Sequence, residues 1–475
     1  LHPSRRQLRE RHGARVRASF TLVAPLAGQY TATDTREPDT RQLGLFEPAP
    51  SGAVVPLIDR PHAGLRRADV EGANDPQHAG NSDYAWIQNF GNGNQNNANK
   101  DNRYLARFVR SVDRDGISFS ELLAADIDCR RHKRNTASAK AWEADREANL
   151  VDLHARLNDG TYTPGPSICF VITRPKNREV WAAGYPDRIV HHAVYRHIGP
   201  RFERAFIADS CACIKGRGTL YAARRLERKV RAITASWTRR AYYLKCDLSN
   251  FFPSIRKDLL AELLAPRIPE PFWRDLALRI LFHDPRPGVD LRGDPRRLAL
   301  VPPEKSLFGR PANVGLPIGN LSSQFGANVF LDVLDQFVKH RLRARHYVRY
   351  VDDFILLHES PAQLNAWLAE ITAFLPARLG VHINPRKTVL QPLERGVDFV
   401  GHVLKPHRRT IRRRTVNEAL FRVATMTEEN VHESTCSYFG LFRQATHSQR
   451  DRARLANVAR RRGFAVDHAL TKAYA

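Results

Sequence analysis

The chain predicts an α+β fold, an antiparallel sheet backed by helices on one face, and three stretches of its 475 residues carry that expectation. Between Val348 and Leu357, two short runs of β-forming residues meet at Asp352-Asp353, the pattern of a hairpin with two carboxylates at its tip. Tyr242 to Cys246 reads as another strand, which ends on Asp247 and runs into Leu248-Ser249-Asn250-Phe251-Phe252-Pro253. Between the two, Gly315 to Gln324 opens a long helix. In it Phe325, Val329, Phe330, Val333, Leu334, Phe337 and Val338 recur at spacings of three and four, so one face is apolar.

Each stretch also has a plain structural explanation. An Asp-Asp pair between β-formers is usually a solvated turn, and an Asp at a strand exit followed by two Phe is usually a cap beside core aromatics. The helix can be a core helix whose first turn is capped by Ser322 or Ser323, with a Gly-Asn turn in front. What these explanations leave out is the order: strand-end carboxylate, glycine loop, then paired carboxylates. Acids from separate strand ends can grip a divalent cation, and Gly319 lets the backbone pass close to a ligand where a side chain would collide.

In that order, Asp247, the Gly319 loop, Tyr350-Val351-Asp352-Asp353, Leu379-Gly380-Val381-His382-Ile383-Asn384-Pro385-Arg386-Lys387-Thr388 and Phe399-Val400-Gly401 resemble successive palm motifs of reverse transcriptases. Upstream, Pro175-Lys176-Asn177-Arg178-Glu179-Val180, Asp187-Arg188-Ile189-Val190-His191-His192 and the stretch from Asp209 to Thr219 resemble the fingers motifs of the bacterial branch. The resemblance runs from Ile117 to the C-terminus and implies a right-hand polymerase: a ferredoxin-like antiparallel palm sheet, mixed fingers and an α-helical thumb. It also implies RNA-directed DNA polymerase activity. Asp247, Asp352 and Asp353 would bind two Mg²⁺ ions ~3.5–4 Å apart, for which Mn²⁺ can substitute, activating the primer 3′-hydroxyl and neutralising the triphosphate.

The same resemblance assigns the remaining site residues. Lys176 and Arg178 match positions that clasp the triphosphate, and Phe252 would lie under the incoming sugar and exclude a 2′-hydroxyl. Ile318, Gly319 and Gln324 would border the nucleotide. Lys387 matches a residue that protonates the leaving pyrophosphate, with a surface lysine after a Pro-Arg turn as the alternative. Lys215, Arg217, Arg408 and Arg409 would hold the template–primer. His191-His192 either contacts RNA or is a pair of buried, hydrogen-bonded imidazoles.

Most reverse transcriptases begin the loop before the palm helix with Gln-Gly and end it with Ser-Pro, whereas this chain has Ile318-Gly319 and Ser323-Gln324. That form resembles the enzymes of diversity-generating retroelements, which copy a template RNA with frequent errors opposite adenine. A Gln at 318 could hydrogen-bond the incoming nucleotide or its base pair and Ile cannot, and a site that relies on shape alone discriminates by only ~1–3 kcal/mol. Neutral drift from Gln to Ile is the alternative. Related systems imply dNTPs, template RNA, an RNA/DNA duplex and a small basic helical-bundle accessory protein as partners.

Residues 1–80 mix Arg, Pro, Gly and Ala with little periodicity and read as disordered or poorly structured. Residues 81–112 are rich in Asn among Trp86, Phe90, Tyr104 and Phe108, and resemble the variable repeat of the lectin-like proteins that such retroelements diversify. Read-through of an adjoining template repeat, a true fusion and a polar low-complexity linker all fit that composition. The fingers are expected over 113–240, the palm over 241–405 and a basic helical thumb over 406–475. Within them, 118–157 reads as helical, 286–310 as a basic surface excursion, and Ser437-Tyr438-Phe439-Gly440 as a turn between thumb helices. No RNase H domain or C-terminal zinc endonuclease is expected. With Leu at position 1 and a single Met, at 426, the true start is expected to be missing or non-standard.

A formal net charge of +26 suits a partner made of phosphates, while 42% hydrophobic residues are enough for a real core. No stretch is long and apolar enough to span a membrane, so no membrane partner and a bacterial or phage-encoded cytoplasmic enzyme are expected. Cys129, Cys169, Cys211, Cys213, Cys246 and Cys436 form no C-x-x-C pair, which argues against a zinc ribbon or a disulfide framework. Competing functions are another bacterial reverse transcriptase, of an intron or a phage-defence system, and an RNA-binding protein whose polymerase site is vestigial.

Overall fold

The computed structural model describes residues 84–88, 95–99, 116–131, 136–173 and 176–474. The expectation for residues 1–80, and most of that for 81–112, lies outside them. The chain forms two units, Leu1–Ser120 and Glu121–Ala475. In the first, β1 (Tyr84–Gln88) pairs antiparallel with β2 (Gln95–Asn99) within the Asn-rich segment.

The expected helical stretch resolves into α1 (Phe119–Arg130), α2 (Ala137–Ala144) and α3 (Arg146–Asn158). Leu122, Trp142, Leu150, Leu153 and Leu157 are buried, as their periodicity demands. The fingers continue with the antiparallel strands β3 (Ile168–Ile172) and β4 (Arg178–Ala182), then α4 (Tyr185–Ala205) and α5 (Thr219–Ile233).

The palm begins with β5 (Tyr242–Asp247), followed by α6 (Phe251–Ser254), α7 (Lys257–Leu264) and α8 (Pro271–Phe282). The basic excursion is not merely surface: β6 (Asp290–Arg292) joins β3 as a parallel strand, and Val301 and Leu307 are buried. Next come α9 (Leu321–Gln336), β7 (Tyr347–Tyr350), β8 (Asp353–His358), α10 (Pro361–Leu379) and β9 (Val389–Pro392). The strands lie in the order β7-β8-β5-β9, which is the β-α-β-β-α-β ferredoxin-like arrangement.

Side chains alternate across that sheet. Leu244, Cys246, Phe354 and Leu356 form one buried face with α9 and α10, while Tyr243, Ile355 and Leu357 form the other. The expectation of helices on one face alone is therefore corrected. The second face is covered by α5 through Ala222, Leu226, Val230 and Ile233, and by Val397, Phe399 and Leu404 from the hairpin that follows the palm. The reason is the amphipathic stripe of α5, since each of these larger aliphatic side chains contributes about 1.5–3 kcal/mol when fully buried.

That hairpin comprises β10 (Val397–Phe399) and β11 (His402–Lys405), extended by β12 (Arg408–Ile411). The thumb follows as α11 (Arg413–Thr425), α12 (Glu428–Phe442) and α13 (Gln449–Arg461), closed by the short pair β13 (Ala465–Val466) and β14 (Ala473–Tyr474). Residues 437–440 are not the expected turn. They continue α12, because Val431, Thr435, Phe439 and Phe442 form one buried stripe in the thumb core.

His191, in the middle of α4, is buried, and burial, then the charges of His192, His283 and Arg188, pull its pKa down to about 3. Burial, followed by Lys229, Arg345 and Lys339, takes His346 down to about 4. Below the unfolded value of about 6.5, the unfolded chain takes up protons that the folded chain refuses, so these groups remove stability as pH falls through that window. Thermal unfolding is expected at a lower midpoint at pH 5 than at pH 7, with a smaller difference in His191→Gln. An unchanged difference in that variant would contradict the buried neutral imidazole.

Candidate active site

Asp247 ends β5, and Asp353 begins β8 directly opposite it in the antiparallel register. Asp352 occupies the turn, where its carbonyl accepts the Leu248 N–H at 3.3 Å. The three acids therefore share one end of the sheet. Burial, and next the charge of Asp247, raise the Asp352 carboxyl above its usual range, so the two carboxylates sense each other. Burial also pushes Asp353 up, to about 6, with the nearby Lys245 opposing the shift.

The third acid has a cation of its own. Asp353 Oδ2 pairs with Lys245 Nζ at 3.1 Å, while Lys245 also donates to the Asp398 carbonyl at 2.9 Å, tying the acid to the β10–β11 hairpin. Among the described residues, no three His, Cys, Asp or Glu side chains converge as a ready metal cage. The donor set nevertheless fits Mg²⁺, which prefers oxygen ligands and is commonly held by one or two carboxylates completed by substrate phosphates. Asp247 and Asp352 supply such a pair. Asp353 Oδ1 is buried without a hydrogen-bond partner in the structure, an orphaned acceptor beside them.

The segment after α10 is sewn onto Asp247. Ser249 N–H donates to the His382 carbonyl at 2.8 Å and Asn384 N–H to the Asp247 carbonyl at 2.8 Å. Asn384 Oδ1 accepts from Arg386 N–H at 3.2 Å, capping a 3₁₀ turn over Pro385–Lys387 that sets the Lys387 ammonium against the Asp247 carboxylate. From the fingers, Lys176 faces the same group: the Lys387 charge foremost, then burial and Arg178, hold its pKa below the ordinary lysine value. Crowded cations with one carboxylate among them form a site for a polyanion.

The glycine loop is built against the fingers. Trp181 N–H donates to the Ile318 carbonyl at 2.7 Å, and Leu316 N–H to the Phe252 carbonyl at 2.9 Å. Gly319 has φ +128°, and a Cβ there would stand 2.5 Å from the Trp181 carbonyl oxygen, so the close approach that demands glycine is to strand β4 itself. Neither serine caps α9. Asn320 is the N-cap residue, and its side chain instead accepts the Ala183 N–H at 3.1 Å. Phe252 is half-buried, edge-on to the buried Phe251, and Gln324 is exposed on the first turn.

Two expected template–primer residues are engaged elsewhere. The Arg217 guanidinium donates to the carbonyls of Ile207 at 2.9 Å and Ser210 at 2.7 Å. Arg409 is buried, donating to the Gln444 carbonyl and paired with Glu227. Arg409 clamps the fold with all three of its nitrogens, whereas Arg217 commits one nitrogen to carbonyls. Lys215 and Arg408 are exposed.

The residue that sequence reasoning missed is Arg349, one position before the acidic hairpin tetrapeptide. It is 1% exposed and meets Asp335 of α9, itself fully buried, through Nε–Oδ1 at 2.8 Å and Nη2–Oδ2 at 2.6 Å. Tyr347 Oη donates to the same carboxylate at 2.7 Å, and Arg349 also donates to Ser210 Oγ at 3.0 Å and to the Val351 carbonyl at 3.1 Å. Val351 needs that support: its φ of +55° is unfavourable for a β-branched residue. A charge inside an otherwise apolar strand was the available signal. Arg349→Met leaves a buried carboxylate unpaired and is expected to cost about 3–5 kcal/mol in urea unfolding, largely recovered in Arg349→Met/Asp335→Leu. A cost under about 1 kcal/mol for the single change would show that the pair does not hold the turn.

The family model described as reverse transcriptase (RNA-dependent DNA polymerase) matches residues 185–404. Escherichia coli (strain K12) protein YkfC is 25% identical over 328 residues, 62% of this chain and 79% of that one. A COX1/OXI3 intron 2 protein of Saccharomyces cerevisiae is 22% identical over 219 residues, and the chain spans 24% of its length. Solved structures of similar shape include apo telomerase from Candida tropicalis (12% identical, TM-score 0.39, 53% of this chain and 57% of that one). Telomerase from Candida albicans in complex with a fragment of telomeric RNA is another (11%, TM-score 0.38, 62% and 55%). With TM-scores this low, the fold rests on the palm's own strand order. Residues 185–404 are a reverse transcriptase domain, that of an RNA-directed DNA polymerase.

Proposed function

We propose that this chain copies an RNA template into DNA as the polymerase of a diversity-generating retroelement, with elevated error opposite adenine. The approach of Asp247 and Asp352 at one sheet end carries the polymerase part of the reading. Ile318, in a loop docked by its carbonyl on Trp181, carries the retroelement part.

A divalent ion pair at the carboxylates would supply the charge that activates a primer hydroxyl and offsets a triphosphate. The chain's own residues do the rest. Asp247 and Asp352 orient the metal-binding oxygens, while Lys176, Arg178 and Lys387 receive phosphate oxygens that relieve the repulsion among the three cations. Lys387, already against Asp247, stands where it can pass a proton to pyrophosphate as it leaves. Phe252 offers an apolar wall beside the sugar. Exposed Lys215 and Arg408 contact the duplex, and the thumb closes on it.

Where most relatives of this type carry a Gln, Ile318 presents a hydrocarbon side chain, and a pocket that checks by shape alone separates right from wrong pairs weakly. The similarity to the yeast intron protein favours a second reading, an intron-type reverse transcriptase of ordinary fidelity. No helix among the described residues is long and apolar enough to cross a membrane.

Primer extension with Mg²⁺ on an RNA template containing scattered adenines separates these readings. The retroelement reading expects full-length cDNA with errors concentrated at adenine, reduced several-fold in Ile318→Gln. Faithful copying supports the intron-type reading, no product from the unaltered chain contradicts both, and an error spectrum indifferent to Ile318→Gln removes the structural reason for infidelity.

A further inference from the structure

The outer side of α5 carries a second feature that the copying site does not use. Its inward stripe, Ala222, Ala223, Leu226, Val230 and Ile233, is buried, whereas Arg224, Arg228 and Arg231 are exposed at spacings of four and three along one side. These arginines line an open groove together with Gly216, Gly218 and Tyr221. Glu227 is the one acid of that lining, and it is occupied by Arg409 from β12 and by Arg231 at 3.0 Å. Arg224 and Arg228 make no ion pair or side-chain hydrogen bond among the described residues. Like charges four apart on a helix oppose its formation, and Glu227, the nearby acid, is paired with Arg409 and Arg231 instead.

The groove is preformed. Arg217 is anchored on two carbonyls, and Tyr221 donates from its hydroxyl to the Ala208 carbonyl at 2.9 Å. The guanidinium carbons of Arg217 and Arg225 lie 6.0 and 5.9 Å from the Tyr221 ring centroid, so the one aromatic of the groove among the described residues is already attended by cations. A single strand with splayed bases needs free aromatic platforms, and this surface has none to offer. Planar forks on a rigid helix suit the phosphate backbone of a duplex, which is recognised by shape and charge.

We propose that the Arg224–Arg228–Arg231 face of α5 docks a double-helical stem of an RNA, on the side of the helix turned away from the palm sheet. The identity of the polymer rests on the reading of the chain as an RNA-copying enzyme; the groove and its unsatisfied charge do not.

The test uses the full chain with Arg224→Gln/Arg228→Gln, which removes two charges and keeps good helix formers. The probe is a blunt RNA hairpin of about 16 base pairs, a length two successive minor grooves require. Hairpin affinity is expected to fall about tenfold at low salt, and the slope of log affinity against log salt to drop by about two, one per lost phosphate contact. Extension of oligo(dT) on poly(rA) is expected to stay unchanged. Unaltered hairpin affinity and slope would overturn the proposal, as would a parallel loss of extension, which would place the groove on the copying track. Competition by polyglutamate at the same charge concentration as RNA would also overturn it, in favour of an acidic protein partner. If the unaltered chain extends no primer and yet the variant loses hairpin binding, the copying reading fails while the docking face stands.

Discussion

A buried ion pair sits at the root of the site. Arg349 and Asp335 are both almost wholly removed from water, and each ion would be costly there without the other. Their two parallel hydrogen bonds bind the strand that delivers the acidic turn to the long helix of the palm. The same guanidinium reaches the Val351 carbonyl and Ser210, so the strained turn, the palm helix and the fingers segment between α4 and α5 are fixed by one group. Asn328 extends the contact by donating to the Ala212 carbonyl at 2.8 Å. A turn with a β-branched residue at positive φ persists only where its surroundings over-determine it, and here they do.

Upon that base the chemistry is one of charge balance. The sheet end concentrates three carboxylates, two of them disfavoured in ionised form by burial, and the structure answers with Lys245 on one and Lys387 on another. Lys245 leads on to Asp398, whose carboxylate receives Arg412 at 2.9 Å, so the neutralising contacts continue into the hairpin that carries the thumb. Palm and thumb are thereby joined through polar links that lead to the acids. A substrate bearing phosphates and metal ions would exchange these internal counter-charges for its own, which is how such a site can stay folded when empty and still favour a nucleotide.

Much of this was legible in the residues. The β-forming runs at Tyr242–Cys246 and Phe354–Leu357 mark strands, and the order of their motifs resembles a ferredoxin-like palm, whereas the cover on the sheet's second face is visible only in the fold. The acids could be singled out because their motifs follow one another in the order of a polymerase palm, although each alone has a plain structural use. What could not be read was long-range pairing. Arg217 and Arg409 look like phosphate contacts in a basic chain, and only the fold shows that carbonyls 7 to 35 residues away engage them. Gly319 looked like a ligand approach and proved to be a contact with a strand more than a hundred residues earlier. Phe439 resembled a turn residue until its helical neighbours Thr435 and Phe442 were seen to share its core.

The central claim is that Asp247 and Asp352, brought from distant parts of the chain to one sheet end, act together on a primer terminus. Single-nucleotide incorporation on a primed RNA template, with Asp247→Asn and Asp352→Asn measured beside the unaltered chain at matched template binding, tests it most directly. Losing charge stabilisation worth several kcal/mol, each variant is predicted to slow incorporation by about a thousandfold or more. Incorporation by either variant within tenfold of the unaltered rate would contradict the account.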